Sequence, residues 1–569
     1  MMVMMMTQPS HNGITMRICR RGQTHWYSVH VRYRLLCYSK RGSRYNESRE
    51  PVYDDKLYED DLDMWMHRLK SFPSPTARSV ALEQLIRVDE EGAYAGLVSG
   101  SPDRHSSVRN DSNSNSNSNS NSNSNSNSNS KIDVLDQPDP PIVRDVLDQR
   151  ERRQVTEIVS GVIRWQRRLH WMLENLPKPT KLDRMDTPLR ILLYMGTYEL
   201  LELNMASHAI NEYVNLAKYV MHEGCGNVAN GALRSMCRAK DSNTIPVPPT
   251  PKQGMSKKQV ANALGIMYSH PTWMIHRWLG QFGASNTVAL LNHNNKRPTF
   301  SIRLNDVQEA MDEFTTLGAE VRPSAFLPDD YVVVESGLQN IIASGMLKQG
   351  RAQVQDEAAG MVVAMLHPEP GDTVLDCCAA PGGKTIVSAT RMQGQGSITA
   401  LDSVDTRLQA VQNAAKKYGH DGMIQCIRSD ARQFCENAAL TGDVFDKVLV
   451  DAPCSGTGVM AKRADMRWRR KEKDLAILTS LQSELLSSAS KVVKTGGFLV
   501  YSTCSIEHEE NQGIVQEFLK AHDNFVLVSG ASLGGSIPDT CLDDTGCLQM
   551  IPYTHKTDGA FAARFKKIA

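Results

Sequence analysis

Apolar residues along this chain follow two different spacings. Between residues 75 and 237 they recur every three or four positions, as on one face of an α-helix. From residue 373 onward, short apolar runs that suit buried strands alternate with longer helical segments. The first pattern predicts a helical bundle, and the second predicts a mainly parallel sheet with helices on both faces. The predicted bundle helices are 77–97, 155–173, 188–203, 206–220 and 228–237.

A third kind of sequence separates these two regions. Residues 244–258 contain four prolines and predict a linker, and residues 297–305 alternate in character as a strand does. We therefore predict a helical domain at 73–243, a linker at 244–265, a small α/β subdomain at 266–349 and an α/β core at 350–569. The Ser/Asn alternation at 112–130 has nothing to bury, so it predicts a disordered insert at 104–132 within the helical domain.

The first 72 residues form a basic N-terminal extension. No Asp or Glu occurs in residues 1–46, while arginines are frequent, a composition typical of organelle transit peptides. We expect a plastid protein, with a mitochondrial or cytoplasmic location as the alternatives. A disordered basic tail or a misassigned start would also explain this composition.

Overall composition points to no particular partner. Lys and Arg total 64 against 63 Asp and Glu, so any nucleic-acid surface must come from local clustering. The twelve cysteines form no Cys-x-x-Cys pair, which favours reduced thiols over a metal site. No apolar run reaches the length of about 18 residues that a membrane span needs. We expect a monomer that binds neither a membrane nor a metal.

Candidate chemistry begins at residues 376–385, which read Asp-Cys-Cys-Ala-Ala-Pro-Gly-Gly-Lys-Thr after the apolar run 373–375. Gly382 and Gly383 lack a Cβ, so the backbone there can approach a ligand closely. A Walker loop would need glycine where Cys378 stands, and a Gly-x-Gly-x-x-Gly fingerprint is absent. The stretch therefore predicts a cofactor loop of another class.

Carboxylates follow the apolar runs of the core at Asp376, Asp402, Asp430 and Asp451. Asp376 is placed to order the loop. Asp402 lies about twenty residues after the glycines, where a carboxylate accepts ribose hydroxyls, and Asp430 is placed to accept from an adenine amino group. A helix cap is the alternative role for any one of them.

Two cysteines also end apolar runs. Cys454 lies in Asp-Ala-Pro-Cys-Ser-Gly-Thr-Gly and Cys504 in Tyr-Ser-Thr-Cys-Ser, so both thiols should face the cofactor cleft. The alternative for each is a small buried apolar residue.

These motifs together resemble those of the Sun-type RNA (cytosine-5) methyltransferases. The resemblance implies a Rossmann-like class I methyltransferase core, an RNA-recognition-like α/β subdomain and an all-α NusB-like N-terminal domain. It also implies that the chain binds S-adenosyl-L-methionine and methylates C5 of a cytosine in ribosomal RNA, with the small subunit as the expected substrate. The implied cofactor residues are Cys378, Ala379, Ala380, Pro381, Gly382, Gly383, Lys384, Asp402, Asp430 and Asp451.

The same resemblance implies the catalytic roles. Cys504 would attack C6 of the cytosine, Cys454 would help remove the C5 proton, and Asp451 would hold or protonate N3. One departure is Ala560, where the family usually has Phe, which affects packing and not the reaction.

A basic segment follows the first cysteine motif. Its position beside the cleft predicts an RNA-binding surface, although a charged run is often only a solvated face. The residues predicted to bind RNA are Lys462, Arg463, Arg467, Trp468, Arg469 and Arg470. Two other functions compete with the methyltransferase: a non-catalytic RNA-binding assembly factor, and an ATPase, which the residue at 378 disfavours.

Overall fold

The structure, a computed structural model, describes residues 14–20, 23–29, 55–91 and 147–569. The predicted insert at 104–132 lies outside the described residues. The strands Ile14–Arg20 (β1) and Gln23–Val29 (β2) pair in antiparallel fashion within the predicted extension. Across the described ranges, no helix combines the length and apolar character that a membrane crossing requires.

The N-terminal domain is a bundle of helices around a central buried one. Its helices are Asp55–Lys70 (α1), Ala77–Ile86 (α2), Gln149–Glu174 (α3), Thr187–Glu202 (α4), Ile210–Val220 (α5) and Glu223–Asp241 (α6). Capping boxes at Thr76 and Asp148 begin α2 and α3. Almost every side chain of α4 is buried, so the other helices pack around it.

This domain begins earlier than the predicted residue 73. Helix α1 lies inside the predicted extension, yet Trp65, Met66 and Leu69 are buried in the same core as the rest of the bundle. The positions 62, 65, 66 and 69 are apolar at helical spacing, and this short signal marks the true edge of the bundle.

The linker is also shorter than the predicted 244–265. Ser256 caps a helix that starts at Lys257, and two more helices follow it before the small subdomain. These helices are Lys257–Met267 (α7), Thr272–Gln281 (α8) and Gly283–Asn295 (α9).

The small subdomain has the connectivity β-α-β-β-α-β of a ferredoxin-like fold. It consists of Phe300–Leu304 (β3), Val307–Thr316 (α10), Glu320–Pro323 (β4), Tyr331–Ser336 (β5), Leu338–Ala343 (α11) and Ala352–Val354 (β6). Its antiparallel sheet has the order β4-β5-β3-β6. Because β6 pairs with β3, the subdomain extends past the predicted boundary at residue 349.

The core is a twisted sheet with helices on both faces. Its strands are Thr373–Asp376 (β7), Ser397–Asp402 (β8), Ile424–Arg428 (β9), Phe445–Asp451 (β10), Val493–Thr503 (β11), Phe525–Leu527 (β12), Leu548–Met550 (β13) and Ala560–Lys567 (β14). Its helices are Glu357–Leu366 (α12), Gly383–Arg391 (α13), Asp405–Lys417 (α14), Ala431–Thr441 (α15), Met466–Arg469 (α16), Asp474–Ser490 (α17), Gln512–Ala521 (α18) and Pro552–His555 (α19). The predicted fold class is confirmed.

The strand order indicates at which edge of this sheet a ligand would bind. The order is β12-β14-β11-β10-β7-β8-β9, with β13 on β14. Strands β7 to β11 run parallel, while β14 is antiparallel to both β11 and β12. The order of strand addition reverses between β7 and β10: β8 and β9 extend the sheet on one side of β7, and β10 and β11 extend it on the other. Ligands of such folds bind at the carboxyl ends of the strands that flank this point.

A glycine of α12 fixes how the subdomain packs on the core. A Cβ on Gly360 would lie 2.6 Å from the hydroxyl oxygen and 2.7 Å from two ring carbons of Tyr331, which is wholly buried on β5. We predict that Gly360→Ala destabilises the protein by about 1–3 kcal/mol through overpacking. The matched control is Gly231→Ala in α6, where a Cβ would meet nothing within 4 Å. That change should be neutral or stabilise by up to about 1 kcal/mol. Thermal unfolding midpoints compare the two, and equal midpoints would contradict the packing.

Candidate active site

Cys454 and Cys504, which we predict to face one cleft, lie together at the carboxyl edge of the sheet. Strands β10 and β11 pair in parallel with Asp451 opposite Ser502, so the loops that follow both strands leave the sheet side by side. Cys454 Sγ and Cys504 Sγ lie 3.3 Å apart. Cys454 is buried, and Cys504 is partly accessible. The sequence prediction that both thiols face one cleft therefore describes the observed geometry.

The contact between the thiols makes them chemically different. Either sulfur can donate in this contact, but the hydrogen bond with Cys454 lowers the pKa of Cys504, which favours Cys454 as the donor. Burial and the carboxylate of Asp451 oppose this lowering, and the ammonium of Lys384 adds to it. The same hydrogen bond, together with burial, raises the pKa of Cys454 well above its usual value. Cys504 therefore ionises more readily than Cys454, which is what its predicted role as nucleophile requires; the role itself stays a prediction.

Asp451 ends β10 beside this pair and is held on both carboxylate oxygens. Lys384, in the first turn of α13, donates from Nζ to Asp451 Oδ2 at 2.6 Å. Ser502 Oγ donates to Asp451 Oδ1 at 2.9 Å. Burial lowers the pKa of Lys384, but the ion pair with Asp451 outweighs burial, and the net shift is upward. A lysine predicted to bind the cofactor therefore also contacts a predicted catalytic carboxylate.

The predicted cofactor loop has the shape of a cradle. Gly382 has φ +103 and packs against α14, where a Cβ would lie 3.2 Å from Val411 Cα. The N-terminus of α13 has no side-chain cap, which leaves its first amides free to donate. Beside Gly383, the Oε1 atom of Gln353 is buried without a hydrogen-bond partner among the described residues. Free donors and an unsatisfied acceptor fit S-adenosyl-L-methionine, whose amino-acid end carries both a carboxylate and an ammonium group.

The remaining predicted loop residues complete this edge. Ala379 N donates to Leu401 O at 2.8 Å, which ties the loop to the end of β8. Ala380 and Pro381 are joined by a cis peptide bond, and Cys378 is half-buried. Burial raises the pKa of Cys378, so its thiol stays protonated and forms an uncharged part of the loop.

The acidic residues at the strand ends differ in their hydrogen-bond partners and in the direction of their pKa shifts. Burial raises the pKa of Asp376 to about 6, and Thr385 donates to its Oδ2, so this side chain orders the loop as predicted. Asp402 Oδ1 accepts from Val404 N at 2.9 Å. Asp430 caps α15, and hydrogen bonds from Arg432 lower its pKa. Contact between Asp430 and adenine stays a prediction, because in the structure its carboxylate serves as a cap.

Sequence reasoning missed Glu510, which joins the two cysteine loops. Its Oε1 accepts from Ser455 N at 2.8 Å and from Gln482 Nε2 at 3.0 Å. Its Oε2 accepts from the hydroxyls of Ser455 and Ser505, each at 2.5 Å. These two serines directly follow the two cysteines. Glu510 lies in a short 3-10 turn and not at a strand end, so only its spacing after Cys504 could have marked it.

The predicted RNA surface at 462–470 requires correction. Arg467 is wholly buried, and the indole N–H of Trp468 donates to a carbonyl of the helical domain. Lys462 forms ion pairs with Asp356 and Asp558. Packing over this segment removes Arg467 from any RNA surface, whereas RNA contact by Trp468 and the other partly accessible residues stays a prediction.

The other three predicted RNA-binding residues are also engaged. The guanidinium groups of Arg463 and Arg469 lie 3.6 and 3.9 Å from Asp465. Arg470 donates to the main chain of the Cys454 loop. The segment serves mainly as a joint between domains.

Family models match three successive parts of the chain. Residues 113–238 match the NusB family, and residues 270–337 match the ferredoxin-like domain of RsmF/B-like methyltransferases. Residues 363–566 match the model described as 16S rRNA methyltransferase RsmB/F.

Relatives of this chain match it over nearly their whole length. The chain is 32% identical to a protein of Synechocystis described as probable ribosomal RNA small subunit methyltransferase B, covering 74% of this chain and 92% of that one. It is 30% identical to ribosomal RNA small subunit methyltransferase B of Photorhabdus laumondii, covering 75% and 93%. The crystal structure of PH0851 is 29% identical with a TM-score of 0.62, covering 74% of this chain and 92% of that one.

The thiol contact predicts the titration of Cys504. Cys454→Ala removes the S–H donor, so the pKa of Cys504 should rise and its alkylation by iodoacetamide should require higher pH. A shift of one unit would reduce the thiolate fraction about tenfold below the midpoint. Cys454→Ser keeps a donor and should lie between the two. Mass spectrometry of the Cys504 peptide across pH gives the midpoint, and an unmoved midpoint in Cys454→Ala would contradict the assignment.

The Glu510 contacts predict a second result. Glu510→Ala leaves buried donors from both loops without an acceptor, at a cost of about 1–3 kcal/mol for each unpaired group. We expect a lower unfolding midpoint and slow turnover. Glu510→Gln keeps the shape and should be milder. Glu509→Gln is the matched control, because that side chain is half exposed and contacts only Arg277 in its ion pair. Equal losses in Glu509→Gln and Glu510→Ala would argue against a bracing role.

Proposed function

Because this chain belongs to the RsmB/F family of 16S rRNA methyltransferases, we propose that it methylates C5 of a cytosine in small-subunit ribosomal RNA through a covalent intermediate on Cys504. Members of this family use S-adenosyl-L-methionine, which supplies a methyl group bonded to a positively charged sulfur. The observation that supports the covalent route is the 3.3 Å contact between two thiols at adjacent strand ends.

The first step is addition of Cys504 to the base. The thiolate forms a bond to C6, and the electrons of the C5=C6 double bond move toward C5 and N3. Lys384 Nζ donates to Asp451 Oδ2 at 2.6 Å, and in this proposal the pair supplies the proton that N3 needs as charge develops there. C5 then takes the methyl group, and the electrons of the broken methyl–sulfur bond remain on the donor sulfur.

The second step is release, and the structure supports a fixed order for it. While Cys504 is a thiolate, its charge and hydrogen bond keep Cys454 protonated. Once Cys504 is bonded to C6, that charge is gone, so Cys454 loses its proton to water more readily. The Cys454 thiolate then takes the C5 proton, the C5=C6 bond re-forms, and Cys504 leaves as a thiolate. The base is thus available only after the adduct exists.

The substrate must present its cytosine outside a base-paired stack. Attack on C6 comes from one face of the ring and methyl transfer reaches C5, both of which are covered inside a duplex. A single-stranded or flipped-out nucleotide meets this requirement.

Purified protein tests the proposal with tritiated S-adenosyl-L-methionine and a protein-free transcript of small-subunit rRNA. We expect 5-methylcytosine in the digested RNA, with Cys504→Ala reducing transfer by at least about 100-fold. Cys454→Ala should accumulate a protein–RNA adduct that survives denaturation, because addition proceeds and release does not. Methyl groups on another atom would overturn the C5 assignment, and a fully active Cys504→Ala would overturn the covalent route.

A further inference from the structure

The segment between the Cys454 motif and α17 connects the active site with the rest of the molecule. We name residues 460–470 the joint segment; it contains the short helix α16. In the sequence it appears as a run of basic residues. In the structure its side chains point in two directions, toward the N-terminal domains and toward the Cys454 loop.

One set of contacts docks the joint segment on the N-terminal half of the chain. Arg467 Nη1 donates to Ser269 O at 3.1 Å and to Asn295 Oδ1 at 2.9 Å. These groups lie after α7 and at the end of α9, and both terminal nitrogens of the buried guanidinium donate to neutral oxygens, whereas its Nε has no partner among the described residues. On a solvent-exposed surface the guanidinium of Arg467 would hydrogen-bond with water instead. These contacts therefore form only when the domains are packed together.

A second pair of hydrogen bonds connects the joint segment with α3 of the helical domain. Trp468 Nε1 donates to Ile163 O at 2.7 Å, and Arg164 Nη2 donates to Ala461 O at 2.9 Å. The two bonds run in opposite directions between the same two elements. They fix the joint segment against one helix of the bundle.

The other direction leads to the catalytic loop. Arg470 Nη2 donates to Cys454 O at 3.0 Å, and its Nε donates to Ser455 O at 3.1 Å. The fork of one guanidinium therefore holds two successive carbonyls of this loop. Arg470 is two residues from Trp468, so the position of its guanidinium depends on how α16 packs against α3.

Cys454 depends on this support more than Cys504 does. Cys504 comes directly after the last residue of β11, whereas Cys454 lies three residues beyond the end of β10. Its loop is tied to β11 at Ala452, whose N–H donates to Ser502 O at 2.9 Å. Beyond that residue it is held mainly by side chains: Gln482 and Arg470 on its carbonyls, and Glu510 on the N–H of Ser455.

We propose that docking of the helical domain on the joint segment positions Cys454, with Arg470 as the positioning residue that connects the two. The consequence for the reaction rests on the proposed function, in which Cys454 removes the C5 proton. The helical domain is then a structural part of the release step, in addition to any contact with RNA.

The first experiment needs no RNA and follows the alkylation of Cys504 across pH in the full-length protein. Displacing Cys454 weakens its S–H contact with Cys504, so Arg470→Ala and Trp468→Ala should move the alkylation midpoint upward, toward that of Cys454→Ala. Arg470→Lys keeps the charge but loses the fork and should show a smaller shift. Lys473→Ala is the matched control, because this lysine is exposed three residues further along.

The second experiment measures the reaction with tritiated S-adenosyl-L-methionine and the small-subunit rRNA transcript. Arg470→Ala should reduce turnover about tenfold or more while the denaturation-resistant adduct accumulates, as it does in Cys454→Ala. Loss of adduct and turnover together would place the defect before release and overturn the coupling.

Unchanged titration and turnover in Arg470→Ala and Trp468→Ala would also overturn the proposal. If thermal unfolding shows that either alanine variant fails to fold, Arg470→Lys and Trp468→Phe decide; the latter loses the indole N–H but keeps an aromatic ring. Because the titration contains no RNA, it tests the position of Cys454 even where the wild-type protein forms no 5-methylcytosine.

Discussion

The hydrogen bond between two thiols is the interaction on which the active site depends. It requires that two parallel strands end in register, that the loops beyond them turn toward each other, and that water is largely kept away. Two identical side chains then differ in acidity: the pKa of Cys504 is lowered and that of Cys454 is raised. In the proposed mechanism this difference makes Cys504 the reactive sulfur and keeps Cys454 protonated until Cys504 is bonded to the base.

Much of the surrounding structure serves to hold this pair. Glu510 braces the residues following both cysteines, and Arg470 holds the carbonyls of one loop. Both are charged groups in mostly buried surroundings, and each is satisfied by several hydrogen-bonding partners. Charged groups placed in this way are costly to bury but restrict geometry strongly once they are paired. The protein thus uses buried charge to achieve the short distance between its two sulfur atoms.

The sequence predicted the core and the meeting of the two cysteines well, because their signals are local. An apolar run followed by Asp, Cys or paired glycines specifies a strand end whatever the rest of the chain does. Arg467 illustrates the opposite case. A basic run next to a cleft has the composition of an RNA surface, and only packing against residues 172 to 303 positions earlier in the chain buries Arg467. Glu510 and helix α1 were missed for a related reason, since a turn residue and a short apolar pattern acquire their meaning from distant neighbours.

The position of β14 has a consequence for how the molecule is assembled during translation. This strand lies between β11 and β12 in the sheet, although it follows both in the chain. Until the ribosome has released it, β11 has an open edge and the loop bearing Cys504 lacks a complete support. The helical bundle, by contrast, consists of contiguous sequence apart from its contact with the joint segment, and it emerges first. The N-terminal domain of the nascent protein can therefore fold early, whereas the Cys504 loop is supported only late. Activation of the Cys504 thiol is thus delayed until the strands around it have paired.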